Sequence, residues 1–144
     1  MPLLQNTILI AALLALVIAQ LSKGVIALFQ ERRFNFHYIA GSGGMPSSHS
    51  AFVTALATSA GKHLGLDSPV FAVCVVLAAI VMYDAAGVRR AVSVQARILN
   101  QMMEDYFEKK GIQQARLREL IGHTPFQVLV GAVLGFLVGF LVSL

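Results

Sequence analysis

Charge is scarce in this chain. Only 12% of its 144 residues are Asp, Glu, Lys or Arg, against about a quarter in soluble domains, and the mean hydropathy is +0.74. A soluble domain and a disordered segment are both excluded, and a bilayer is the solvent that fits. Tryptophan is absent and aromatic residues make up 8%. Eleven basic residues against seven acidic ones leave a net charge of +4, but a nucleic-acid binder needs aromatic platforms that this composition does not supply. The excess positive charge therefore reads as membrane topology or as anion binding. The single cysteine, Cys74, lies inside an apolar run, so no intramolecular disulfide forms and no thiolate cage for a metal is available. No metal and no cofactor is expected.

Apolar runs are what the chain has in quantity. A membrane-spanning helix needs about 20 apolar residues at ~1.5 Å rise each, and the run TILIAALLALVIAQLSKGVIALFQ meets that length. Its N-terminal position resembles that of a signal peptide, yet no charged segment precedes it and no small-x-small site follows, so a retained helix is expected. The stretch PSSHSAFVTALATSAGKH is rich in Ala, Ser and Thr, which suits a tightly packed inner helix. Pro69 opens a further span ending near Asp84, and Thr124 with Pro125 supplies an N-cap and a first helical residue for the last. The expected architecture is one all-α domain over residues 1–144. It is an integral membrane bundle of about four transmembrane spans, near 6–30, 47–63, 69–85 and 124–143, with an amphipathic helical segment over 90–121 broken at Gly111. In that segment Val92, Leu99, Met102, Met103 and Tyr106 share one face, as in a helix lying on a membrane surface. Gly131, Gly135 and Gly139 recur every fourth residue, giving the last span a face that another backbone can approach closely. Two copies of the chain joined through that face, a homodimer, is one expectation.

Four spans put both long loops at one membrane surface. Arg32, Arg33, Arg89, Arg90, Arg97, Lys109, Lys110, Arg116 and Arg118 fall on that side and Lys62 on the other. By the positive-inside rule the first side is cytoplasmic. The same side gathers Lys23, Arg32 and Arg33, then Ser47, Ser48 and His49, then Asp84 with Arg89 and Arg90, then His123. Two helix N-termini would direct unpaired amides and positive dipole ends into one place, which favours an anion. Arginine forks match phosphate oxygens, and two histidines can attack and protonate near neutral pH. Lys23 has two readings of equal weight, a phosphate contact or a side chain snorkelling to the headgroups.

Pro46-Ser47-Ser48-His49 resembles the Pro-Ser-Gly-His signature of the type-2 phosphatidic acid phosphatase and vanadium haloperoxidase superfamily, and His123-Thr124-Pro125-Phe126-Gln127-Val128 resembles its last motif. The strings GGMPSSHSA, YDAAGVRR and GHTPFQV are closer to the divergent bacterial and plastid branch. The resemblance implies a metal-independent phosphatase, expected in a bacterial plasma membrane, and the positive-inside count puts its expected site on the cytoplasmic face. His123 would be the nucleophile forming phosphohistidine and His49 the acid for the leaving oxygen. Ser47, Ser48, Arg89, Arg90, Arg32, Arg33 and Lys23 would hold phosphate. The implied substrate is a phospholipid or isoprenoid phosphate or pyrophosphate, with membrane lipids as the surroundings and no nucleic acid as partner.

Three positions depart from the family pattern. Lys23 stands nine residues before Arg32 and ten before Arg33, where the family separates Lys and Arg by seven. The arginine that the family places six residues before the nucleophile is here Leu117, so Arg89 or Arg90 is expected in its role. The acid four residues after the nucleophile is here Gln127, which can hold an imidazole tautomer but cannot offset imidazolium charge; Asp84 is the carboxylate expected to substitute. These departures motivate a reading of another class, a catalytically inactive scaffold binding phosphate or anionic lipid. Intramembrane Lys23 and Asp84 motivate a weaker third, a small transporter subunit.

Overall fold

The computed structural model describes residues 5–31, 44–108 and 123–144. Five helices follow one another among the described residues: α1 (Thr7–Glu31), α2 (Ser48–Leu64), α3 (Pro69–Ala86), α4 (Val88–Glu108) and α5 (Pro125–Val142). Among the described residues there is no strand. Three helices among the described residues contain segments long and apolar enough to cross a membrane, Thr7–Ile26, Pro69–Ala86 and Pro125–Val142, each of mean hydropathy 2.2. The protein is an all-α integral membrane bundle.

Helix α2 is the centre of that bundle and packs against α1, α3 and α5. Its buried residues are Ser, Ala, Gly and one Val, so neighbouring backbones approach closely. In a bilayer such packing replaces the hydrophobic effect as the force holding helices together. Ala15 and Ala19 of α1, Ala51 and Ala55 of α2, and Val138 of α5 form one fully packed seam. Helices α2 and α5 run parallel. The pairs Ser47/Gly131, Ala51/Gly135 and Ala55/Gly139 each face across the contact, and Ser143 Oγ donates to Ser59 Oγ at 2.7 Å one turn further on. Helix α3 runs the opposite way, since Phe71 lies against Gly61 while Thr54 Oγ1 reaches Met82 Sδ at 4.0 Å.

The glycine face of α5 is therefore filled by α2 of the same chain. Sequence reasoning correctly finds a face that wants a close backbone, but the homodimer through it is corrected, because that surface is already occupied. Gly65, at φ +90, ends α2 and its amide donates to Gly61 O at 3.1 Å. Ser68 then caps α3, its hydroxyl accepting from Phe71 N at 3.1 Å, with Pro69 at the first helical position. Cys74 is buried with Ala57 and Ala60, as a small apolar residue.

A single residue, Gly87, separates α3 from α4. Val92, Leu99, Met102 and Tyr106 are exposed, so among the described residues no protein covers the apolar face of α4. The expected break at Gly111 and the shorter helix after it lie outside the described residues.

Candidate functional site

Two helix starts are clamped together at one end of the bundle. Ser47 caps α2 with extended backbone (φ −68, ψ 112), its Oγ accepting from Ser50 N at 3.4 Å and from the Ser50 hydroxyl at 2.9 Å. Thr124 caps α5 in the same way, and Pro125 follows at the first position. Gln127 N donates to Thr124 Oγ1 at 3.3 Å, while Thr124 N donates to Gln127 Oε1 at 3.0 Å, a reciprocal capping box. Ser47 N then donates to Gln127 O at 3.1 Å and locks the two starts to each other.

That clamp brings His49, two residues past one cap, beside His123, one residue before the other. Their ring centroids are 6.5 Å apart with the planes inclined at 58°. His123 is 1% exposed, and His49 is half-buried. Histidines separated by more than seventy positions of sequence thus share one mouth of the bundle.

Lys23 of α1 enters the same place. It is only 3% exposed, and Nζ donates to Ser48 Oγ at 3.2 Å. Gly44, at φ +87, lies against the aliphatic stem of the lysine. The snorkelling reading is not what the structure adopts. Among the described residues Lys23 meets a neutral hydroxyl and no carboxylate, and a buried ammonium is costly without an opposite charge. The first-turn amides of α2 and α5 add positive dipole ends at this same end. Buried positive charge and helix-start dipoles at one end of a bundle make an arrangement that electrostatically favours an anion.

Other expected residues stand as follows. Ser47 engages its amide, carbonyl and hydroxyl in the clamp and the cap, whereas Ser48 presents the hydroxyl that Lys23 reaches. Asp84 is half-buried in the last turn of α3, at the histidine end because α3 runs against α2. The backbone of Arg89 and Arg90 lies in the first turn of α4, directly after Gly87. Arg32 and Arg33 lie outside the described residues.

Gln127 is a position whose role the sequence reading leaves open. Its side chain serves the capping box and, among the described residues, bonds to neither imidazole, so it does not hold a histidine tautomer. The pattern Thr-x-x-Gln before an apolar run carried that signal. Gln127→Ala is expected to cost about 1 kcal/mol of stability through the lost side-chain bond to the Thr124 amide. Gln127→Glu, which keeps the box and places negative charge at a helix N-terminus, is expected to be near neutral or stabilising. Thermal unfolding in detergent reads both, and an equal loss in the two variants would refute the capping role.

A family profile described as "Divergent PAP2 family" matches residues 4–138. The chain is also 40% identical, over 148 aligned positions covering 95% of it and 94% of the relative, to a protein of Bacillus subtilis (strain 168) described as "Uncharacterized membrane protein YuiD". No solved structure matches it. With a profile covering almost the whole length and a relative 40% identical across it, the chain belongs to the divergent PAP2 family.

Proposed function

We propose that this membrane protein is a metal-independent phosphohydrolase acting on a lipid phosphomonoester or pyrophosphate. A single observation carries the proposal: two imidazoles 6.5 Å apart beside a buried lysine whose hydrogen bond goes to Ser48. An attacking nitrogen about 3 Å from phosphorus and a hydrogen bond of about 2.8 Å to the leaving oxygen define a gap that rings at this separation can bracket. Buried His123 attacks phosphorus, the bond to the leaving oxygen breaks, and His49 delivers a proton to that oxygen. His49 then takes a proton from water, the water oxygen attacks phosphorus, the P–N bond breaks, and inorganic phosphate leaves. Splitting the displacement in this way is covalent catalysis. Lys23, Ser48 and the helix-start amides stabilise the equatorial oxygens. Arg89, Arg90, Arg32 and Arg33 complete the charge, Ser47 holds the helix start in place, and Asp84 is the carboxylate that offsets imidazolium charge.

In this proposal α2, which runs beside α5 from Ser47/Gly131 to Ser59/Ser143, is a fourth crossing helix. The basic residues assigned to the histidine end support a site on the cytoplasmic face, and the proposed membrane is a bacterial plasma membrane. Substrates would come from the inner leaflet, as phosphorylated glycerolipids or isoprenoid phosphates. The test is phosphate release by purified protein from phosphatidic acid, an isoprenyl phosphate and an isoprenyl pyrophosphate. Release that His123→Ala and His49→Ala abolish is expected; native release no greater than that of both variants would overturn the enzyme.

The commitment of Gln127 to its cap favours a second reading, a scaffold that binds phosphate or anionic lipid without turnover. Binding of a phosphate analogue without hydrolysis, persisting in Gln127→Asp, would select it.

A further inference from the structure

At the end of the bundle remote from the histidines, α3 and α5 flank α2 and meet each other only sparsely, leaving a groove of about 580 Å³. That volume lies within the ~300–1,000 Å³ of small-ligand sites. Gly61 lies in the floor, Phe71 and Val75 form one wall, and Phe136 and Phe140 form the other. A side chain at 61 would sit 2.9 Å from the Phe71 ring, so glycine at this position lets the aromatic ring lie flat on α2. Phe136 and Phe140 stack with ring centroids 6.1 Å apart. Lys62 closes the mouth. Its Nζ lies 3.9 Å from the centre of the Phe140 ring and donates to Phe140 O at 3.2 Å, which fixes a cation at the rim with further N–H donors to spare.

We propose that this groove is a lipid site that takes one hydrocarbon chain of a phospholipid with an anionic headgroup, the phosphate resting on Lys62. Its walls belong to helices apolar and long enough to cross the membrane, and Val75, Phe136 and Phe140 are exposed. The groove therefore opens sideways into hydrocarbon, where an acyl chain is the available occupant. The chain fills the apolar cleft, and the fixed ammonium selects the headgroup by charge. Neither feature depends on the histidine site or on its chemistry.

Native mass spectrometry of the full chain, exchanged from detergent with equal amounts of dioleoyl phosphatidylglycerol and dioleoyl phosphatidylcholine, tests the site. One lysine near a headgroup gives an expected preference of about fivefold for the anionic lipid. Lys62→Gln is expected to erase the preference, Lys62→Arg to keep it, and Val75→Phe, which fills the cleft, to lower retention of both lipids. Because phosphate also suits the histidine end, Lys23→Met serves as the discriminating variant and is expected to retain the preference. Equal retention of the two lipids by the native chain would overturn the proposal. So would a preference that survives Lys62→Gln, one that disappears in Lys23→Met, or unchanged retention in Val75→Phe.

Discussion

Gly135→Leu is expected to abolish the folded bundle. A Cβ at this position would be driven onto the carbonyl oxygen of Ala51, and also to 2.9 Å from Ala51 Cα. Both obstacles are backbone atoms of a helix buried in the bundle, so no rotamer change relieves the clash, and α2 and α5 must separate. Overpacking of a core typically costs ~1–3 kcal/mol even when side chains can shift; against fixed backbone the cost is expected to be about 3 kcal/mol or more. Separation also breaks the bond from Ser47 N to Gln127 O, and with it the registration of both histidines. The glycines form a graded series. A Cβ at Gly131 meets the Ser47 carbonyl with similar severity, whereas one at Gly139 stands 2.8 Å from the Ala55 oxygen. Gly139→Ala is therefore expected to destabilise less than Gly131→Ala or Gly135→Ala. Val133 lies on the exposed side of α5, and Val133→Leu is expected to change stability by no more than about 0.5 kcal/mol. Thermal unfolding and monodispersity in detergent measure the series. A Gly135→Leu protein as stable as the native chain would refute the close parallel contact.

Helix identity was legible because its signals are local. Thr124 and Pro125 announce the start of α5, Pro69 that of α3, and the Ala, Ser and Thr content of α2 its inner position, and each stands where those signals put it. The partner of the glycine face was not legible. Spacing shows that a backbone comes close without showing whose, so a second copy and α2 are equivalent until coordinates separate them. Lys23 illustrates the same limit, because a lysine near a helix end has the same one-dimensional context whether it snorkels or turns inward onto Ser48. The role of Gln127 stayed open for a different reason: comparison with a family motif directed attention to the acid it replaces, although the Thr-x-x-Gln spacing carried a simpler local role. The meeting of His49 and His123 was expected from span parity. The bond that secures it, from the Ser47 amide to the Gln127 carbonyl, joins backbone groups that every sequence contains and none advertises.

The division of labour proposed for the two histidines, His123 as nucleophile and His49 as acid and base, predicts a dependence on the leaving group. His123→Ala removes the atom that bonds to phosphorus, so kcat is expected to fall on the order of 10⁴-fold or more for every substrate. His49→Ala removes only a proton donor and acceptor, whose contribution is ~10²–10⁴-fold where proton transfer is required. An alkyl or isoprenyl alkoxide leaves poorly without a proton, and the His49 variant is expected to show the full loss on such monoesters. A nitrophenolate leaves readily unprotonated, so with a nitrophenyl phosphate the first step survives while the second, which needs His49 to activate water, stays slow. The His49→Ala protein is then expected to release a burst of nitrophenol close to one equivalent per chain and to retain acid-labile phosphate on His123. No burst and no labelling are expected in His123→Ala. The geometry supports this asymmetry, for the nearly fully buried ring of His123 is screened from bulk water, whereas half-buried His49 is the one that water can reach. Equal losses in the two variants across both leaving groups, with no phosphate on the protein, would reassign the roles and remove the covalent step.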